Sequence, residues 1–328
     1  MSDFARTLSA VPRVPIIKAP TPVHEARFRG HRFMIKREDM TDETIYGGNK
    51  VRNLEFILAD VLRRGHAAVA TPIPVGSNFS AAFTGHALNL GIDPILCQVH
   101  LASHPQITDH QEFCESLGAR LHTRSGLLKF PRQAIDLARA KLRQGAAIVA
   151  PGGSSALGAL GHLKAFLEVA ESVRRGEIRC PDIIMVGAGT GGTTAGLIAG
   201  ITLTGLPIKV LAVRCAEPII CNQRRILALA NKTLAFIGSN QKVNRDCLSI
   251  AECPTSLGYG SPLPDFDLLF KDFYVENKIE LDRTYTSKVI KTLDAVCGGN
   301  HGQSHRILYW HTFSPLASRE LGRVAFTV

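Results

Sequence analysis

Lys50 is the residue of this chain best suited to covalent chemistry. It closes the tetrapeptide Gly47-Gly48-Asn49-Lys50, and an apolar helical period starts directly behind it. A glycine pair lets the backbone approach a ligand or take up φ > 0. A helix N-terminus raises the local positive potential, and an amine placed there can form a Schiff base with a carbonyl. Four residues on their own favour a blander reading, a glycine turn followed by a solvated lysine. The remainder of the chain reverses that preference.

The second group is Val186-Gly187-Ala188-Gly189-Thr190-Gly191-Gly192-Thr193-Thr194-Ala195-Gly196, between a predicted strand and a predicted helix. Backbone N–H groups at such a corner, reinforced by the helix dipole, bind anions. Glycines leave room for phosphate oxygens, and the hydroxyls of Thr190, Thr193 and Thr194 add donors. Two other readings stand beside this one. The corner could serve packing alone. Alternatively, Gly187, Gly189 and Gly192 could form the G-x-G-x-x-G of a nicotinamide-dependent oxidoreductase. Such a site requires an acid at the end of the next strand to hold the ribose. Here Lys209-Val210-Leu211-Ala212-Val213 ends in Arg214, Glu217 comes later, and Lys50 is left without a role. The dinucleotide reading therefore ranks second.

The third group is Gly76-Ser77-Asn78, again at the end of a strand and the start of a helix. Ser and Asn are ordinary helix caps, but the same groups can hold a carboxylate. Pro151-Gly152-Gly153-Ser154-Ser155 repeats the strand-to-helix turn. Three such turns and one reactive lysine fit pyridoxal 5'-phosphate, which needs an amine for its aldehyde, a phosphate cradle and a group at its ring nitrogen.

Alternating elements position these turns. Residues 51 to 64 place Val51, Leu54, Ile57, Leu58, Val61 and Leu62 on one helical face,. Strands are expected at 67–70, 95–99, near 120, and at 146–150, 183–186 and 208–213. Helices are expected at 78–90, 108–117, 128–144 and 192–203. This βαβ alternation predicts an α/β fold, with mostly parallel sheets flanked by helices. Region 233–264 is the least periodic and is expected to contribute loops to a pocket.

Composition narrows the setting. With 328 residues, 45% hydrophobic and 20% charged, the chain is expected to form two globular domains,. No apolar run reaches membrane-spanning length, and the start Met1-Ser2-Asp3-Phe4 lacks a secretory pattern, so a cytoplasmic location is expected,. The net charge of +10 comes without a dense Lys/Arg run interleaved with aromatics. It suits anionic small molecules rather than nucleic acid. The eight cysteines form no Cys-x-x-Cys and no close His/Cys cluster, so neither disulfides nor a metal are expected,.

Over nearly its whole length the chain resembles the D-cysteine desulfhydrase / 1-aminocyclopropane-1-carboxylate deaminase family. These are pyridoxal-phosphate enzymes of the tryptophan-synthase-β-like fold (fold type II). The resemblance runs through Ile35-Lys36-Arg37-Glu38-Asp39-Met40-Thr41, Gly47 to Phe56, Pro151-Gly152-Gly153-Ser154, Gly189 to Thr193, Gly258-Tyr259-Gly260 and Leu281-Asp282-Arg283-Thr284-Tyr285. It implies Lys50 as the Schiff-base lysine and proton carrier, and Gly189, Thr190, Gly191, Gly192, Thr193 and Thr194 as the phosphate loop. Ser77 and Asn78 would hold the substrate carboxylate, Asn78 also touching the cofactor. Tyr285 would border the ring, and Tyr259 would line the substrate side. The resemblance also implies a small domain of residues 46–158 inserted in a large one of 1–45 and 159–328, and a homodimer.

Deaminases of the family carry Glu after the second tyrosine and tend to carry Leu near the C-terminus, where this chain has Thr286 and Thr312. A hydroxyl at the ring nitrogen makes a weaker electron sink. That favours elimination of a good leaving group, with D-cysteine giving pyruvate, ammonia and sulfide, over opening of the cyclopropane. The deaminase activity remains the alternative, as does a non-catalytic cofactor-binding protein. Three departures mark the pocket as reshaped. Gly76 and Phe79 stand for Gln and His, Ile73-Pro74 for Gly-Gly, and Phe313-Ser314 for Gly-Gly. Gly76 and Phe79 are expected to make room for an unusual substrate.

Overall fold

A computed structural model describes residues 3–41, 46–101, 105–254, 258–298 and 305–315. In chain order the elements are α1 (Asp3–Ala10), β1 (Val23–Phe28), β2 (His31–Arg37), α2 (Lys50–Arg63), β3 (Ala68–Pro74), α3 (Asn78–Asn89), β4 (Asp93–Val99), α4 (Pro105–Ser116), β5 (Arg120–Arg124) and α5 (Lys129–Gln144). They continue with β6 (Ala147–Ile148), α6 (Ala156–Arg174), β7 (Ile183–Ala188), α7 (Gly192–Thr204), β8 (Lys209–Arg214), α8 (Gln223–Phe236), β9 (Leu248–Glu252), α9 (Phe266–Asn277), α10 (Thr286–Gly298) and β10 (Ile307–His311).

The strands form two sheets, ordered β1-β2-β10-β7-β8-β9 and β5-β4-β3-β6. All pairings are parallel except the β1–β2 hairpin. The fold is thus α/β with parallel sheets flanked by helices, as the alternation predicts. The four-stranded sheet draws only on residues 68–148, and the six-stranded sheet on strands before and after them. The expected domain boundary after residue 45 closes a stretch, 42–45, that lies outside the described residues.

Both sheets bury both faces, and side chains alternate between them. On β10, Leu308 and Trp310 join Phe166, Ile198 and Ile226 from α6, α7 and α8. Ile307 and Tyr309 join Leu269, Phe273, Ile290 and Leu293 from α9 and α10. On β3, Val69 and Ile73 pack toward α2 and α3, whereas Ala68 and Ala70 pack toward α5.

Strand β3 runs four residues beyond the expected end, through Pro72 and Pro74. Prolines cannot donate to a ladder and belong on unpaired edges. On one side β3 pairs with β4 along its whole length, but β6 pairs only with Val69 and Ala70. The Ala70 carbonyl faces β6 and accepts from Val149 N–H at 2.9 Å. Pro72 and Pro74 share its parity, so their missing donors fall where β6 has already ended. Helix α2 also departs from the expected single apolar face. Leu62 is exposed, while Arg52, Asn53 and Glu55 are buried. These polar residues have partners: Arg52 bonds Glu38 and Glu168, Asn53 the Gly153 carbonyl, and Glu55 the Ile16 and Ile17 N–H groups.

Candidate active site

The loops at the C-terminal ends of β3, β7 and β10 converge on Lys50, the position where parallel sheets usually bind ligands. Two bonds fix the lysine turn. Thr41 Oγ1 donates to the Gly48 carbonyl at 2.9 Å, and Asn49 N–H donates to the Thr312 carbonyl at 3.1 Å. Lys50 is half-buried at the first position of α2. Burial lowers its amine from 10.5 to about 8, although the Asp282 charge pulls the other way. At pH 7 roughly a tenth of such an amine is unprotonated, against less than about a thousandth for an ordinary lysine.

The loop from β7 into α7 makes the floor of a narrow cup lined by Asn49, Lys50, Asn78, Gly187 to Thr194, Tyr285 and Thr312. Gly191 caps α7 at φ +86°, a left-handed conformation that costs glycine little,. A Cβ at Gly189 would stand 2.8 Å from the Tyr285 phenol oxygen. Thr193 Oγ1 accepts from the Asn49 side chain at 2.8 Å, and Thr190 Oγ1 lies 2.5 Å from Ser154 Oγ. Thr194 Oγ1 is fully buried and has no protein partner. A buried hydroxyl seldom goes unpaired. Beside a helix N-terminus, it fits a phosphate ester.

On the other side of Lys50, Ser77 accepts from Phe79 N–H at 3.2 Å and caps α3. Ser77 thus serves as a cap and also lines the cleft. Tyr259 stands beside the hydroxyls of Ser77 and Tyr285, and burial raises both phenols. The two rings meet edge to face at 6.1 Å. Asn78 Nδ2 donates to Asp282 Oδ2 at 3.2 Å. The same carboxylate accepts from the N–H groups of Tyr285 and Thr286, capping α10,. Thr286 is fully buried. It does not line the cup, and its hydroxyl donates to Asp282 Oδ1 at 2.5 Å.

The cup shares Lys50, Asn78, Gly189, Thr190 and Tyr285 with a wider cleft of about 310 Å³. Ile73, Pro74 and Phe79 line this cleft. Gly76 does not make room for a substrate. It sits at φ +66°, and a Cβ there would lie 2.4 Å from the Ile107 carbonyl oxygen and 2.5 Å from its Cα. Helix α4 fills the space that the glycine leaves. Phe313 and Ser314 are buried and lie outside both linings; Ser314 packs instead against Gly48. Reasoning from sequence gave no role to Asn49, Ser154 or Asp282. Asp282 was findable as a helix cap shortly before an apolar period. The expectation for region 233–264 is met by Tyr259, which lines the cleft.

A lysine at a helix N-terminus and a phosphate cup on a two-sheet α/β scaffold define a pyridoxal-phosphate type of site. Residues 13–244 match the profile of the pyridoxal-phosphate dependent enzyme family, and the chain belongs to that family. It is 29% identical over 326 residues to nocardicin C-9' epimerase of Nocardia uniformis subsp. tsuyamanensis (97% of this chain, 96% of that protein). It is 27% identical over 333 residues to D-cysteine desulfhydrase of Serratia proteamaculans (94% and 96%). The crystal structure of an ACC deaminase homologue superposes with a TM-score of 0.82 at 25% identity, covering 95% of each chain. The nicotinamide reading is set aside. Arg214, where an acid was required, pairs instead with Glu252 at 2.5 Å. Among the described residues no helix is long and apolar enough to cross a membrane.

Proposed function

We propose that the protein is a pyridoxal-phosphate-dependent lyase that eliminates a sulfur leaving group from an amino acid. D-cysteine is the simplest such substrate, giving pyruvate, ammonia and sulfide. The observation that carries this reading is Lys50, with its lowered amine, in one cup with the glycine–threonine loop.

The cofactor, when bound, supplies an aldehyde for the substrate amine and a ring that accepts the electron pair left at Cα. Gly189 to Thr194 would hold its phosphate, with Thr194 Oγ1 gaining the partner it lacks. Thr312, which lines the cup, and Thr286, whose hydroxyl fixes Asp282, are assigned to the ring side. Lys50 Nζ takes the α-proton, a task suited to an amine that is partly unprotonated near neutrality. Ser77 and Asn78 orient the substrate carboxylate at the start of α3. Tyr259 lines the substrate side and packs edge to face on Tyr285, which borders the ring. The division at residues 46 and 158, a homodimer and a cytoplasmic location complete the proposal. The confinement of one sheet to residues 68–148 supports that division.

The test is a panel of D- and L-amino acids and 1-aminocyclopropane-1-carboxylate, with 2-oxo acid, ammonia and sulfide followed together. Release of all three from D-cysteine supports the reading. Opening of the cyclopropane without sulfide from D-cysteine would replace it by the deaminase. Exchange and inversion at Cα without 2-oxo acid would replace it by epimerisation, the activity in the Nocardia relative's name. Cofactor binding with no turnover of any kind would leave a non-catalytic binding protein.

A further inference from the structure

We propose that the substrate's sulfur carries a bulky apolar group, so that the preferred substrate is an S-substituted cysteine rather than free cysteine. The inference rests on the elimination reading above and names its substrate class. The glycine–threonine loop in the cup would hold the cofactor's phosphate beside Lys50. The adjoining cleft of about 310 Å³ shares Lys50, Asn78 and Tyr285 with that cup. Clefts of ~300–1,000 Å³ hold drug-sized ligands, and free cysteine is among the smallest amino acids. A site built for it alone would leave most of this space to water.

The wall explains what fills it. From the end of β3 come Ile73 and Pro74, from α3 Phe79, from the end of β4 Leu101, from α5 Phe130 and from the loop after β8 Ile220. Leu101 is 37% exposed, Phe130 55% and Ile220 36%. Single exposed apolar residues are ordinary, but apolar residues gathered from several elements onto one cleft mark a binding surface. The wall is continuous with the lysine cup, so its occupant is the remainder of the molecule whose amino group meets Lys50. Glu217 and Arg225, both exposed, stand in the same lining and give it a charged border.

In the reaction the Cα–H proton passes to Lys50 and the Cβ–S bond breaks, the sulfur leaving with the electron pair. The thiolate takes up a proton. One water hydrolyses the released enamine, so that S-substituted cysteine plus water gives thiol, pyruvate and ammonium.

Two series given to the cofactor-loaded enzyme test this, in either enantiomer. One is S-methyl-, S-propyl-, S-pentyl- and S-benzylcysteine beside cysteine, read as kcat/KM for thiol and pyruvate. The other is 2-aminobutyrate, norleucine and 2-aminooctanoate, which lack a leaving group, read as affinity by calorimetry. The expected result is a rise in kcat/KM of about fourfold per methylene from cysteine to S-pentylcysteine, with a parallel rise in affinity in the second series. Phe130→Asp should lower the S-pentylcysteine to cysteine ratio of kcat/KM about 10- to 100-fold. Cysteine as the best substrate, with affinity flat or falling along the second series, would overturn the inference and leave elimination intact. Rising affinity with no thiol or pyruvate from the first series would keep the apolar class and overturn the sulfur leaving group.

Discussion

The side-chain amide of Asn49 donates to Thr193 Oγ1 at 2.8 Å, and that hydroxyl lies 3.2 Å from His162 Nε2. The bond ties the turn that presents Lys50 to the loop that forms the phosphate cup. Burial, with the Lys50 charge adding to it, lowers His162 to about 3. The imidazole is therefore neutral and available to the hydroxyl. Thr193→Val leaves Asn49 and His162 without this partner in a buried site. It should destabilise the cofactor-free protein by about 1–3 kcal/mol and weaken pyridoxal-phosphate binding about 10- to 100-fold. Urea denaturation and equilibrium dialysis measure the two effects. Unchanged cofactor affinity would detach Thr193 from the cup.

Lys50 supplies a pH prediction. Its amine is lowered from 10.5 to about 8 by burial, against the opposing charge of Asp282. A lowered amine is charged below its pKa and nucleophilic above it. In the cofactor-free protein, reductive methylation of Lys50 should therefore reach half its maximal rate near pH 8. Asp282→Asn removes the charge that favours the ammonium form, so the midpoint should move lower. Peptide-resolved mass spectrometry follows the site, and a midpoint close to an ordinary lysine's would show that burial does not act on Lys50.

A buried ion network anchors α2 behind the lysine. Arg52 bonds Glu38 at 2.8 and 2.9 Å and Glu168 at 2.5 and 2.9 Å. Lys36 bonds Glu168 at 2.7 Å. Burial alone would raise the Glu38 carboxyl, but the Arg52 charge and hydrogen bonds outweigh it and bring it from 4.5 to about 2. A depressed carboxyl stabilises the fold above its unfolded pKa, and that contribution fades as pH falls through the folded value. Glu38→Gln should cost about 3–5 kcal/mol at pH 7. The gap between wild type and variant should narrow between pH 4.5 and 2. A gap that stays constant through this window would contradict the pairing.

Gly76 yields a packing prediction. Gly76→Ala combines a left-handed backbone with a Cβ 2.4 Å from the Ile107 carbonyl oxygen. The strain and the overpacking together should cost about 2–4 kcal/mol. Thermal unfolding measures the loss. A variant as stable as wild type, with altered substrate choice, would restore the view that this position opens the pocket.

Much of this was legible in the sequence because short-range patterns carried it. Strand-to-helix turns rich in Gly, Ser and Thr mark where backbone donors point, and the three of them do converge with Lys50. The antiparallel β1–β2 hairpin turns on Arg29 and Gly30, both at positive φ. Arg is an unusual residue at such a φ, so the turn carried no sequence signal. Gly76 was misread because a glycine in a sequence shows a missing side chain but not what occupies its place. Asp282 acts through partners on α3 and α10, more than two hundred positions apart in the case of Asn78, and no local pattern encodes that contact. Leu101, Phe130 and Ile220 belong to three separate elements, so their common wall appears only in the fold.

The most direct test of the account is to reduce the cofactor-loaded protein with borohydride, digest it and locate the pyridoxyl group by mass spectrometry. Lys36 and Lys288 are buried more deeply than Lys50, but Lys36 is held by Glu168 and the Thr21 carbonyl, and Lys288 by the Gly258 carbonyl. The account predicts the modification on Lys50 alone, and none at that peptide in Lys50→Ala. A pyridoxyl group on another lysine, or a protein that binds pyridoxal phosphate with no lysine modified, would contradict it.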